Sequence, residues 1–196
     1  MKREYHALSP SKLEVGAGYA QPSQRVPEVV RHDSPATDVM TDLTRVVAVI
    51  ILSGDSVDEA HHRMIQCGVR LLLVVDQDRR VHGVITANDV LGEKPVTVAV
   101  QRGVPHSEVQ VRDVMTPAEA LQVLSYADVA GATVGHIIAS LKAAGRQHGL
   151  VVDEDAKGRQ RVRGIFSATQ IARQLGVSIT TSGVARTFAE IETALR

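Results

Sequence analysis

Cysteine is almost absent. Cys67 is the only one in 196 residues, so no disulfide can form within the chain, and a reducing, cytoplasmic setting is the simplest expectation. Tryptophan is missing altogether, so intrinsic fluorescence would report poorly on any cleft. Long apolar runs are missing too. The longest, Val46 to Leu52, holds 7 residues, against the roughly 20 of a membrane-spanning helix. The opening stretch MKREYHALSPSKLEVGAGYAQPSQ has no apolar region of the kind a secretory signal carries. Charge of neither sign is in surplus, since 22 Lys and Arg balance 22 Asp and Glu. That balance argues against a general nucleic-acid binder, which needs a basic excess to meet phosphates. Neither a membrane nor a nucleic acid is therefore expected as a partner.

The composition that remains, 44% hydrophobic and 22% charged, is ordinary for a soluble globular protein. The length suits one large domain or two small ones. Residues 1–36 carry four of the 7 prolines together with Gly16 and Gly18, and are read as an extended or disordered N-terminal arm. Regular patterning begins at Asp38.

From there the chain repeats itself. Asp38-Val39-Met40-Thr41 returns 75 residues later as Asp113-Val114-Met115-Thr116. SVDEAHHRMIQCGVRLLLVVD, residues 56–76, matches TVGHIIASLKAAGRQHGLVVD, residues 133–153. GVITANDVLG, from Gly83, matches GIFSATQIARQLG, from Gly164. Three strings in one order are not a chance event, and the offset grows only where loops lie.

Each copy has the same element order. In the first, Val46 to Leu52 reads as a strand. Ser56 is an N-cap followed by Asp58 and Glu59 in the first helical turn, and Val57, Ala60, Met64 and Ile65 share one helix face. Gly68 ends that helix. Leu71 to Val75 is a buried strand, Asp76 to Arg79 a turn, Val81 to Thr86 the return strand, and Ala87 to Leu91 a second helix. In the second copy, Val134, Ile137, Ile138 and Leu141 mark the helix, Gly145 its stop and Leu150 to Val152 the strand; the hairpin turn, Glu154 to Arg159, is expected to be four residues longer. Each half therefore reads strand, helix, strand, strand, helix. A half of about 60 residues is marginal alone, so two halves packed into one unit are expected. The divisions are 37–110, 111–178 and a C-terminal helix over 179–196, whose stripe is Val184, Phe188, Ile191 and Leu195. That stripe must bury itself against the module, a second chain or a partner.

These strings resemble the cystathionine-β-synthase (CBS) domain pair, or Bateman module, of the stand-alone bacterial type. The resemblance rests on Val-Met-Thr, the helix ending in Gly, the hydrophobic-Val-Val-Asp strand and, most specifically, Gly-hydrophobic-hydrophobic-Thr/Ser-x-x-Asp before the last helix. It covers about 140 of the 196 residues, Asp38 to Val177. The family implies a mixed α/β fold, two tandem repeats packed about a pseudo-twofold axis. It also implies clefts that take adenosine ligands (AMP, ADP, ATP, S-adenosylmethionine or a dinucleotide), pairing into homodimers, and a regulatory role without catalysis, read by an effector protein. The alternative is a dimeric interaction scaffold with no physiological nucleotide.

Within that resemblance, Thr86-Ala87-Asn88-Asp89 is the first candidate site. One ionised carboxylate can accept from both ribose hydroxyls, which suits Asp89; Thr86 can donate to a ribose or phosphate oxygen, and Asn88 lies between them. The bland alternative is a helix cap, with Thr86 capping and Asp89 three residues on. The second copy replaces the pair by Ser167 and Gln170, keeping the hydroxyl and losing the charge, so a weak, altered or empty site is expected there. The family's basic pair before the second strand falls on Arg70-Leu71 and Gln147-His148, which makes Arg70 and, more weakly, His148 the phosphate candidates.

Other constellations carry less. His61 and His62 are adjacent and point about 100° apart on a helix, unsuited to gripping one ion. Cys67 reads as a packed thiol rather than a nucleophile. Asp153-Glu154-Asp155 lacks the carboxylate a calcium loop requires at its twelfth position, and Gly16-Ala17-Gly18 does not follow a strand. No catalytic residues and no metal ligands are expected. Lys157, Arg159, Arg161 and Arg163 alternate and so share one face of a strand; this is either a solubilising edge or a docking patch for an acidic partner.

Overall fold

The computed structural model describes residues 22–177 and 184–194, with Lys12 and Ala17. In chain order the first repeat holds strand β1 (Met40–Asp42), β2 (Ile50–Leu52), helix α1 (Val57–Cys67), β3 (Leu71–Val75), β4 (Val81–Thr86), α2 (Ala87–Leu91) and α3 (Lys94–Arg102). A short helix α4 (Val111–Val114) leads into β5 (Thr116–Pro117), β6 (Val123–Ser125), α5 (Tyr126–Ala130), α6 (Val134–Ala143), β7 (His148–Glu154), β8 (Gln160–Ser167), α7 (Ala168–Gln174) and α8 (Val184–Ala194).

The strands form two four-stranded sheets, ordered β2-β3-β4-β5 and β1-β8-β7-β6. Replacing β2, β3, β4 and β5 by β6, β7, β8 and β1 turns one sheet into the other, which is the pseudo-twofold relation the repeat implies. The opening strand of each repeat has crossed over. β1 pairs antiparallel with β8, Met40 facing Phe166, and β5 pairs with β4, Thr116 facing Val84. The segments just before follow the same rule. Val57 N–H donates to the Val109 carbonyl and Val111 N–H to that of Asp55, while Ala36 N–H donates to Ala132 and Val134 N–H to Ser34. Ala36, Val39 and Met40 accordingly lie in the core of the second repeat, and Val109, Val111 and Val114 in that of the first. A third cluster of Leu71, Leu73, Val75, Val84 and Leu150 joins the sheets face to face.

The crossover explains two glycines of the repeated motif. A Cβ on Gly83 would run into the carbonyl oxygen of Thr116, and one on Gly164 into the side chain of Met40 and the Thr41 carbonyl. Both positions are where the exchanged strand lies against its host, so only a residue without a side chain lets the backbones meet.

Several expectations change in the folded chain. Only Ile50–Leu52 of the Val46–Leu52 run is a strand, pairing parallel with Leu73–Val75. In that register Val46 and Val47 fall beyond the start of β3 and have no partner strand. The second hairpin turn is not longer than the first: Asp155–Arg159 spans the same five residues as Asp76–Arg80, and the additional residues extend β7 and β8. The two turns close alike, by Asp76 N–H to the Arg80 carbonyl and Asp155 N–H to that of Arg159. α1 buries Val57, Ala60 and Met64 but leaves Ile65 at 68% exposed, because Ile65 is turned about 100° from Met64. Cys67 is exposed at the end of α1, not packed. Gly68 and Gly145 do take the left-handed conformation, at φ 63° and 62°.

Residues 22–35 run along the second repeat, with Val30 buried in its core. Val30 N–H donates to the Gln174 carbonyl, and Gln24 bridges β1 through the Met40 carbonyl and Asp42 N–H. α8 packs on α6 and α7 with Phe188 and Ile191 buried, so the C-terminal stripe covers the chain's own module; the side chain of Val184 and all of Leu195 lie outside the described residues.

Candidate functional site

Thr86 ends β4 and begins α2, and its side chain is spent on that junction. Thr86 Oγ1 accepts from Asp89 N–H at 3.3 Å, while Asp89 Oδ2 accepts from the Thr86 N–H at 3.0 Å and hydroxyl at 2.7 Å. This reciprocal box satisfies donors that a helix start otherwise leaves open. The other carboxylate oxygen, Oδ1, accepts from Lys94 Nζ, which also donates to the Val114 carbonyl at 3.3 Å. Asp89 is thus buried with both oxygens engaged. Lys94, five residues on, ties it to the linker that feeds the exchanged strand β5.

Above this junction a cavity of about 220 Å³ opens between the repeats. Thr86, Asn88 and Asp89 line it together with Thr116 of the exchanged strand β5, and Gln122, Arg146 and His148 of the second repeat complete the lining. The folding that joins them is the crossover of β5 and the packing of sheet on sheet, so residues about 60 positions apart share one wall.

Burial, then the nearby charge of Arg70, push the His148 imidazole down to about 4, with Asp89 opposing. At neutral pH it offers one N–H and no charge, which corrects its expected role as a phosphate cation. Arg70 itself does not line the cavity. Its carbonyl accepts from Ala87 N–H at 2.9 Å, anchoring α2, while its side chain is exposed. The cation that lines the cavity is Arg146, whose guanidinium donates to the Ala120 carbonyl at 3.0 Å.

Ser167 and Gln170 stand apart from this cavity. Ser167 Oγ accepts from Gln170 N–H at 3.5 Å, and Gln170 Nε2 donates to Gln174 Oε1 at 3.3 Å. Gln174 Nε2 in turn donates to the Pro27 carbonyl at 2.7 Å and that of Asp38 at 3.1 Å. Where the first repeat uses a charged Asp-Lys pair to hold the opening of the other repeat, the second uses two amides, and these also hold residues 27–30.

Three of the four cations in the alternating run are paired with carboxylates. Arg159 pairs with Asp155 at 2.8 Å, Arg161 with Asp153 at 2.7 Å and Arg163 with Asp42 at 3.0 Å. Arg163 also lies over the Tyr126 ring, 4.8 Å from its centroid. These contacts stitch β8 to β7 and β1 and do not leave a free patch for an acidic partner. Among the described residues no three metal-ligating side chains come together.

Comparison with known proteins agrees with this architecture. Residues 36–95 match the family model of the CBS domain. The fold matches that of a conserved protein from Pyrococcus horikoshii at a TM-score of 0.54 and 20% identity, over 78% of this chain and 100% of the other. The chain folds as a CBS-domain pair. CBSX2 solved in complex with AMP matches this CBS-domain pair at a TM-score of 0.51 and 21% identity, over 71% and 94% of the two chains. The pair of protein MJ0100, solved with 5-methylthioadenosine and S-adenosylmethionine, matches at 0.51 and 20%, over 73% and 96%. No curated protein sequence matches the chain. No described helix of this CBS-domain pair is long and apolar enough to cross a membrane.

Sequence reasoning missed Lys94, Arg146, Thr116 and Gln122. Arg146 sits next to the Gln147-His148 pair that was singled out, so the sequence did carry a signal for it. Lys94 had none, since a spacing of five is neither a helix nor a strand neighbour.

Proposed function

We propose that this CBS-domain pair is a cytoplasmic regulatory module that binds an adenosine-type ligand in the cavity between its repeats. The observation that carries the reading is the convergence of Thr86, Asn88 and Asp89 with His148 and Arg146 on one inter-repeat cavity. CBSX2 and MJ0100, of the same fold, hold adenosine compounds. In the proposed complex Asp89 accepts from the ribose hydroxyls, Thr86 and Asn88 hydrogen-bond the sugar and phosphate oxygens, and Arg146 supplies the positive charge. Arg70 is too peripheral to be more than an outer contribution, and Ser167 and Gln170 belong to a second cleft that carries no ligand.

Asp89 Oδ2 already accepts two bonds from Thr86 and Oδ1 one from Lys94, so accepting both ribose hydroxyls displaces one of these partners. The cavity is also smaller than the roughly 300–1,000 Å³ of most ligand pockets, so entry must widen it. Both features give the ligand a different affinity for closed and open states, which is the condition for shifting between them. Where Lys94 is the partner displaced, it keeps the Val114 carbonyl but no longer ties α2 to α3, and an effector protein would read the change there. α3 and its neighbour α2 present Leu91 at 64% and Val100 at 76% exposure. The matching face of the second repeat lies under α8, so we assign homodimer pairing to this uncovered face. Val100→Glu should then convert a dimer to a monomer in sedimentation equilibrium.

Thermal melts of ligand-stripped protein with AMP, ADP, ATP, S-adenosylmethionine and NAD test the site. At about 1 mM, a ligand with a dissociation constant of roughly 10 μM stabilises by about 2.7 kcal/mol, or roughly 5–11 °C for a chain of this size. The shift should vanish in Asp89→Asn and persist in Gln170→Ala. The second reading, a dimeric scaffold without a nucleotide, is favoured by the engagement of both Asp89 oxygens by the chain's own groups. A flat panel together with a firm dimer would establish it.

A further inference from the structure

A second and larger cavity, of about 710 Å³, opens where the two hairpins part. It lies on the pseudo-twofold axis, because its walls come in matched pairs: Ile50 with Val123, Leu73 with Leu150, Val75 with Val152. The positions are inward-facing strand residues at the edge of the cluster that joins the two sheets. Its volume falls within the range of ligand pockets. Val47 is part of its lining and is 77% exposed.

Its charges are of one sign. Arg79, Arg80 and Arg161 line it, and no lining residue is acidic. Arg161 is engaged by Asp153 at 2.7 Å. Arg80 reaches Asp78 only at 3.9 Å, in a pair exposed on both sides, which holds it weakly. Arg79 sits in the left-handed conformation at φ 60°, where the second hairpin has Gly158 at φ 72°. A bulky residue in that conformation is uncommon and uphill.

We propose that this cavity binds a small monoanionic amphiphile, an alkyl or acyl chain ending in one carboxylate. The chain lies along the valine and leucine walls, where burying each methylene away from water favours binding. The carboxylate meets Arg79 and Arg80 at the mouth, a charge-assisted pairing that guanidinium geometry suits. This site is separate from the Asp89 cavity and does not depend on a nucleotide.

Titration calorimetry of the full chain with decanoate, decanol and decyltrimethylammonium, each below its aggregation concentration, tests the assignment. Decanoate should bind saturably, one per chain, with decanol about tenfold weaker or more and the cation not binding. The double variant Arg79→Gly, Arg80→Gln should bring decanoate down to the affinity of decanol. Gly suits the left-handed position, and both sites are exposed, so the fold is kept. Val47→Glu should weaken decanoate, and Asp89→Asn should leave it unchanged. Absence of saturable decanoate binding, equal binding of all three probes, or full affinity in the arginine double variant would overturn the proposal. So would an oligomer that Val47→Glu dissociates, because the mouth would then be filled by a second copy of the chain.

Discussion

Lys94 and His148 show how single residues acquire a role that their neighbours in sequence do not announce. Lys94 competes with any ribose for Asp89. Lys94→Met should therefore tighten binding of adenosine, which has no phosphate to miss the cation, by several-fold in calorimetry; weaker or unchanged binding would show the lysine to be only structural. His148 gives a pH signature. Its imidazole protonates at about 4 in the folded chain against an ordinary 6.5, so the unfolded state binds more protons between those values. Stability is then unaffected above about pH 6.5 and falls as pH drops from there toward 4. His148→Gln should flatten that limb in melts from pH 7 to 4. The capping box at Thr86 and Asp89 was legible because Thr-x-x-Asp before a helix is a local pattern. The engagement of Asp89 by Lys94 was not, since it depends on how α3 leaves α2.

Elements show the same division. α1 and α6 were legible from spacing, and their glycine stops follow from backbone sterics alone. Strand ends were not, because a strand ends where its partner ends. Val46 and Val47 have the composition of a strand and lack the neighbour. The added residues of the second hairpin look like loop in an alignment of the repeats, yet they continue β7 and β8, where Arg161 and Asp153 pair across the strands at 2.7 Å. The exchanged strands make a prediction at this scale. Gly83→Ala drives a Cβ into the Thr116 backbone, whereas Gly54 has nothing within 4 Å of such an atom. Gly83→Ala should cost about 1–3 kcal/mol, as overpacking does, and lower the melting temperature by roughly 2–4 °C for each kcal/mol. Gly54→Ala should leave it within about 2 °C, since open surface positions change stability by less than about 0.5 kcal/mol.

At the scale of the molecule, neither repeat is a unit. Residues 36–42 pack in the second core and residues 109–117 in the first, so a cut between 110 and 111 separates each core from part of its own filling. The fragment 37–110 would lose β5, Val111 and Val114 and expose β1 with no partner. It should show little cooperative unfolding by circular dichroism, while the intact chain melts in one transition. A cooperative melt of 37–110 alone would mean that the exchange is not needed for stability. Mutual dependence of the two cores also couples the inter-repeat cavity, which Thr116 of β5 lines, to the strand that one repeat lends to the other.

The sequence by itself determined the duplication, the helix faces, the hairpins and the residues that cap the helices after each return strand. All of these depend on interactions within a few positions of the chain, or on the period of its side chains. It also pointed to Asp89 and His148 separately. Only the tertiary structure decided that they share a cavity, that the imidazole there is uncharged, that Lys94 already occupies the carboxylate, and that the basic face of β8 is spent on Asp42, Asp153 and Asp155. Burial and charge at those sites are set by groups brought from distant parts of the chain, and strand exchange between the repeats is what brings them together.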